Sequence, residues 1–170
     1  MDFKHLSLLT TLFLLATSSS ALDSDRHQPI RIQADAAMVD ETEGSSIYEG
    51  NVIIHQGTLQ VTADEVEIYT AKNEVIQIIA KAANKPGKLA HYEQQTNEAK
   101  DMVSAEARKI TYLVQEERLH LAGSAKLQQV GDLFTGELLF YDLGRGIVNL
   151  NSGGSNSRIN MTIRPKKSSN

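Results

Sequence analysis

This 170-residue chain predicts an all-β fold of about sixteen short strands, and three observations predict it. Apolar and polar residues alternate in short runs. Turn-forming residues break those runs at regular spacing. The central pattern then recurs 73 positions later. The pattern is plainest over residues 50–68. Val52, Ile54, Leu59, Val61, Val66 and Ile68 mark the apolar positions, and Gly50, Gly57 and the Ala63-Asp64 pair punctuate them. This spacing predicts three short strands joined by tight turns. Over residues 123–141 Gly50 is matched by Gly123, Gln56 by Gln129 and Thr62 by Thr135. Val52, Ile54, Val61, Val66 and Ile68 fall on Ala125, Leu127, Phe134, Leu139 and Tyr141. The match breaks at the central turn, where Leu59 meets Asp132 and a one-residue slip brings Gly57 onto Gly131.

The other elements follow in order. Ile30, Ile32 and Ala34 share one face of a first strand, and residues 37–40 can pair next to it. Glu41-Thr42-Glu43-Gly44 is a turn. Residues 75–80 are an apolar run that predicts a well-buried strand, and Asn84-Lys85-Pro86-Gly87 is the strongest turn signal. Residues 88–92 read as a weak strand and 93–101 as a loop. Val103, Ala105 and Ala107 repeat the spacing of residues 30–34 at the same offset. Residues 109–114 face inward through either Ile110 and Tyr112 or Thr111 and Leu113. Leu119 and Leu121 face inward on the next strand. Gly144-Arg145-Gly146 is a hairpin turn before residues 147–150. A last alternating strand carries Ile159, Met161 and Ile163. The composition of residues 97–113 also permits a helix, but the repeat favours strands.

The first 21 residues read as a secretory leader. Lys4 starts it, an apolar run occupies residues 6–16, and Ser19-Ser20-Ala21 supplies the small residues of a cleavage site. The expected organisation is a cleaved leader at 1–21, a flexible segment at 22–28, a β domain at 29–163 and a disordered basic tail at 164–170. The leader holds Asp2 and Lys4, so the mature net charge stays at −4. That balance opposes nucleic acid as a partner, because neutralising phosphates needs a basic surface. With no cysteine, disulfides, thiolate metal sites and cysteine nucleophiles are excluded.

No sequence pattern points to catalysis. Of the histidines outside the leader (His27, His55, His91 and His120), no two are spaced as metal ligands on one element. His55 and His120 alternate with inward residues and belong on the outer face. There is no nucleophile elbow and no phosphate-binding glycine loop, and the pairs Asp64-Glu65 and Glu116-Glu117 fall at turns. No cofactor is expected. What distinguishes the chain is its inward face, whose side chains contribute ~1.5–3 kcal/mol each when buried. The same residues serve either a filled core or the lining of a partly open one.

Several segments together resemble a known family. They are Gln28-Pro29-Ile30-Arg31-Ile32 with Ala34-Asp35, Tyr48-Glu49-Gly50-Asn51-Val52, Gln56-Gly57 and Ala63-Asp64, then Gly123-Ser124-Ala125, Leu127-Gln128-Gln129-Val130 and Gly136-Glu137. In this order they resemble the OstA-like family over residues 28–150. Length, leader and basic tail are similar to its periplasmic lipopolysaccharide-transport members. The resemblance implies a slightly open, twisted antiparallel β-jelly roll that stacks end to end as a head-to-tail oligomer. It implies an LptC-type inner-membrane protein at the N-terminal edge, and an LptD-type outer-membrane protein or another copy at residues 147–163.

Lipopolysaccharide acyl chains would ride in the shared groove, held by apolar burial since the chain is acidic. The groove expected on this basis is lined by Ile30, Ile32, Val52, Ile54, Val61, Val66, Ile68, Tyr112, Val114, Leu119, Leu121, Leu127, Phe134 and Leu139. The resemblance also puts His91 near the lipid path, where an aromatic residue would suit better. Two other readings remain: a purely structural assembly module with a closed core, and an exported enzyme acting on envelope glycolipid. Convergent carboxylates beside a cleft would favour the enzyme.

Overall fold

A computed structural model describes residue 25 and residues 27–83, 85–95, 101–154 and 158–165. The expected leader, most of the segment at 22–28, residues 96–100 of the expected loop at 93–101 and the end of the basic tail lie outside the described residues, and residues 93–95 are strand rather than loop.

All twelve elements are strands: β1 (Arg31–Gln33), β2 (Ala36–Asp40), β3 (Ser45–Gln56), β4 (Leu59–Ala71), β5 (Glu74–Lys81), β6 (Ala90–Gln95), β7 (Met102–Ala107), β8 (Lys109–Leu113), β9 (Arg118–Gln129), β10 (Asp132–Asp142), β11 (Ile147–Asn151) and β12 (Asn160–Thr162). Every pairing is antiparallel. β3, β4, β9 and β10 are long and serve two layers, a different partner on each half. Counting their halves separately recovers the sixteen expected segments. One layer runs β1, the end of β3, the start of β4, β6, β7, the end of β9, the start of β10 and β12. The other runs β2, the start of β3, the end of β4, β5, β8, the start of β9, the end of β10 and β11.

The stretch expected to form three strands therefore forms two. Only residues 57–58 make a turn there. Gly50 and Asn51 instead form a bulge, two residues facing one between the pairs Glu49–Glu65 and Val52–Ala63. Both have positive φ, +77° and +48°. A β-carbon on Gly50 would overlap the Asp35 side chain, so glycine is required there.

The second bulge, Gly123-Ser124 opposite Glu137, sits 73 positions on with φ of +82° and +53°. Arg108 crowds Gly123 as Asp35 crowds Gly50, again at that offset. Registers repeat with it: Ile32–Ile54 becomes Ala105–Leu127, and Val52–Ala63 becomes Ala125–Gly136. The slip at the central turn does not occur. Both copies have a two-residue turn, and the glycine moves within it, from the first position at Gly57 to the second at Gly131.

The two copies meet inside the chain where β5 pairs β8 and β6 pairs β7. The outward edges of β1 and β2 at one end, and of β11 and β12 at the other, have no partner strand among the described residues. The run at 75–80 is not uniformly buried: Ile78 and Ala80 point in, Gln77 and Ile79 are partly exposed on the outer face that meets solvent, and Val75 and Ile76 are partly exposed beside a register shift near the start of β5. Residues 102–107 and 109–113 are strands, which removes the helical alternative.

Candidate functional site

Cross-strand registers carry single rungs of side chains over the whole width of each layer. One inner rung runs Ile32, Ile54, Val61, Tyr92, Ala105, Leu127, Phe134, Met161. Facing it, another runs Ala37, Tyr48, Val66, Ala80, Ile110, Leu121, Leu139, Leu150. Neither contains a charge. Their central members are sealed, but the ends are not: Ile32 and Leu150 are half-buried and Met161 is 51% exposed. Alternation places these residues on one face, and the bulges keep both halves of each long strand in phase with the interior.

The expected groove residues divide into two groups. Val52, Ile54, Val61, Val66, Ile68, Tyr112, Leu119, Leu121, Leu127 and Leu139 are buried in one cluster. Ile30, Ile32, Val114 and Phe134 are partly buried against its margins. His91 lies on the outer face of β6 between the inward Ala90 and Tyr92, with Nε2 3.4 Å from Glu93 and Nδ1 3.9 Å from Glu106. The aromatic expected at that place is its neighbour Tyr92, fully buried. His120 is also outward, stacked edge-on against Phe140 at 4.8 Å, and partial burial there lowers its pKa. Tyr92, Val103, Ile78, Leu59 and Tyr141 are among the further buried residues of the interior. Alternation from Ala90 would have placed Tyr92 inward beside it.

Polar groups enter the interior along one margin. Beside the first apolar rung, Gln56 pairs with Leu59, and Gln94 pairs with Val103, which in turn pairs with Gln129. The Tyr92 hydroxyl donates to Gln94 Oε1 at 2.5 Å and the Tyr141 hydroxyl to Gln129 Oε1 at 2.9 Å. Burial pushes the Tyr92 hydroxyl well above its ordinary pKa and that of Tyr141 to about 12, so both stay neutral donors. Gln94 Nε2 in turn donates to Asp25, a buried carboxylate.

At the N-terminal end a cleft of about 460 Å³ opens between the layers. Its walls are His27, Gln28, Ile30 and Gln56 on one side and Asn73, Glu74, Val75, Val114 and Gln115 on the other. It continues the interior, since Ile30, Val75 and Val114 pack against the core.

The acidic pair Asp64-Glu65, expected at a turn, lies within β4 and is structural. Asp64 accepts from the Ala83 amide at 2.7 Å, which together with Lys88 lowers its pKa. Glu65 and Glu67 both hold the Lys81 ammonium on the outer face. That pairing keeps Lys81 charged and depresses Glu67. Among the described residues no group of three or more His, Cys, Asp or Glu side chains could hold a metal. The arrangement is thus one of apolar rungs with a neutral hydrogen-bonding margin. Such a surface takes up hydrocarbon by burial rather than ions by charge.

Comparison with known proteins agrees with this architecture. The chain is similar to the Pseudomonas aeruginosa lipopolysaccharide export system protein LptH, 37% identical over 92% of this chain and 91% of LptH. It is 28% identical to the Escherichia coli K12 lipopolysaccharide export system protein LptA, over 81% of this chain and 72% of LptA. The crystal structure of Pseudomonas aeruginosa LptH, the LptA-homologous periplasmic component of the lipopolysaccharide transport device, superposes with a TM-score of 0.73. That match is 36% identical and covers 84% of this chain and 99% of LptH. Residues 31–147 match the model of the LptA/(LptD N-terminal domain) LPS transport proteins, and the chain belongs to that family.

Proposed function

We propose that this chain is a non-enzymatic periplasmic carrier. It would hold lipopolysaccharide by the acyl chains and pass it along a bridge between the inner and outer membranes. The observation that carries this reading is the uncharged rung from Ile32 to Met161, which crosses all eight segments of its layer and stays accessible at both ends. A compact core would need no such open ends. Each acyl CH₂ buried contributes ~0.8 kcal/mol, and the acidic chain has no electrostatic hold on phosphates to match it. The middle of the interior is sealed, so lipid would pass by parting the two layers, starting from the cleft beside Ile30.

The bridge would form by strand addition at the unpaired edges. The chain already joins two copies of one unit through β5·β8 and β6·β7. An equivalent junction between molecules sets β11 and β12 of one chain against β2 and β1 of the next. Charge favours that direction: the first edge carries Asp35, Asp40, Glu41 and Glu43 against one cation, Arg31, and the last carries Arg158 and Arg164. An LptC-type protein would meet the N-terminal edge and an LptD-type protein the C-terminal one.

The test is co-elution of lipopolysaccharide with the purified chain, compared with Ile32→Asp. Ile32 is half-buried at the margin, so its charge reaches the groove without sitting in the sealed core as one at Ile54 would. Stable complex with wild type and none with the folded variant is expected. Equal lipid retention by both would overturn the groove, and no retention by either would overturn the carrier.

A further inference from the structure

Asp25 lies only 8% exposed, with no basic side chain on its carboxylate among the contacts the structure gives it. The Thr58 hydroxyl donates to one of its oxygens, and Gln94 Nε2 donates to the same oxygen at 3.3 Å. The donors are themselves held in place. Gln94 is 3% exposed and takes the Tyr92 hydroxyl on its own oxygen, while Thr58 Oγ1 accepts from the Gln95 amide at 3.3 Å. Gly57, at φ +59°, completes the cradle, since a β-carbon there would overlap the carboxylate. Beyond Asp25 the chain is pinned by Gln28 N to Asp25 O at 3.0 Å and by Gln56 Nε2 to Gln28 O at 3.2 Å, then passes along the cleft to Ile30.

This places two neutral donors, aimed at one oxygen, one rung away from the apolar rung through Ile54, Val61 and Tyr92. An acyl lipid lying with its chains on that rung has its first polar atoms at this margin, and those atoms are carbonyl oxygens. A carbonyl oxygen has two lone pairs and no charge, which suits two neutral donors. We propose that Thr58 and Gln94 form a subsite for the ester or amide carbonyl of a bound acyl lipid, occupied in the lipid-free chain by the Asp25 carboxylate as an internal competitor. The inference rests on the lipid-carrier reading and adds to it a place where the polar junction of the lipid is recognised and a segment that must leave first.

The test uses the full mature chain and two chain-matched probes, dioctanoyl phosphatidylglycerol and its dioctyl ether, which differ only in the carbonyls. Wild type is expected to prefer the ester by about two- to tenfold. Gln94→Met and Thr58→Val keep the volume but remove a donor, and should bring that ratio close to one while ether binding stays unchanged. Asp25→Ala should tighten ester binding several-fold and ether binding less; Asp25→Val, which offers the two donors no oxygen, replaces it if the alanine variant unfolds. Equal affinity of wild type for the two probes, or a ratio unmoved by Gln94→Met, overturns the subsite and leaves the carrier standing. Weaker ester binding by folded Asp25 variants overturns the competitor role. Failure of wild type to bind either probe overturns the subsite, while the carrier stands or falls on lipopolysaccharide retention.

Discussion

The ring of Tyr92 meets the ring of Tyr112 edge-on, with centroids 5.5 Å apart and planes at 64°. Tyr92 belongs to β6 in one layer and Tyr112 to β8 in the other, so this contact ties the layers across the interior. Such a pair adds roughly 0.5–1.5 kcal/mol to the burial of its rings. It is also a contact that must loosen if acyl chains are to lie between the layers.

Two substitutions at Tyr92 separate its roles. Tyr92→Phe keeps the ring contact but leaves the buried Gln94 oxygen without the hydroxyl that donates to it, which should cost about 1–3 kcal/mol. Tyr92→Ala also empties the space of a fully buried ring and should cost about 3–5 kcal/mol. Urea unfolding monitored by circular dichroism measures both. Equal losses would mean that the ring contributes nothing beyond its hydroxyl.

The two bulges make a comparative prediction. Gly87→Ala pays only for its positive φ of +76°, about 1 kcal/mol, because no atom lies within 4 Å of the new β-carbon. Gly50→Ala and Gly123→Ala carry a similar strain and also drive a β-carbon into Asp35 or Arg108. Each should therefore cost at least ~1 kcal/mol more than Gly87→Ala in the same unfolding measurement. If all three fall together, the side chains of Asp35 and Arg108 yield freely and the bulges do not depend on glycine for space.

The repeat was legible because its physical cause is local. A bulge needs a residue that accepts positive φ, so Gly50 and Gly123 mark the two kinks in the sequence, and alternation on either side fixes which residues face in. What the sequence hid was continuity. Gly50 and Ala63-Asp64 read as turns because a glycine at a bulge and a glycine at a turn look alike, and only the partner strand tells them apart. Ile54 and Ile32 also read alike, yet one is sealed and the other half-buried, since depth depends on how far a strand lies from the ends of its layer. Asp25 carried no signal, because its partners Thr58 and Gln94 are far along the chain and reached only through the fold.

Stability should fall on the alkaline side. Burial holds the Tyr141 hydroxyl at about 12, against 10.0 when exposed. Below pH 10 the group is neutral in both states and its contribution is complete. Between pH 10 and 12 the unfolded chain loses the proton while the native chain keeps it, so stability drops by roughly 1 kcal/mol per pH unit. Lys81, whose pKa is raised by Glu65 and Glu67, acts in the same direction. The Tyr141→Phe variant should therefore show a shallower loss over this window than wild type, measured by urea titration at successive pH values. Parallel slopes would mean that Tyr141 ionises as readily in the fold as outside it.

Strand addition at the N-terminal edge can be blocked without disturbing the interior. The Asp35 amide bonds back to the Glu49 and Gly50 carbonyls. By alternation along β2, the amides of Ala37 and Val39 also face β3, and that of Met38 faces away from it. Met38 is 63% exposed and makes no part of the core. Met38→Pro therefore removes an outward donor and no internal hydrogen bond, and should change unfolding free energy by no more than about 1 kcal/mol. In sedimentation velocity the wild-type chain should associate as its concentration rises, and more weakly as salt screens the acidic edge from the basic one. The proline variant should stay monomeric at the same concentrations. Undiminished association of a folded Met38→Pro chain would place the junction on a surface other than β2. Association that ignores salt would remove charge, but not strand pairing, from the account of how the ends find each other.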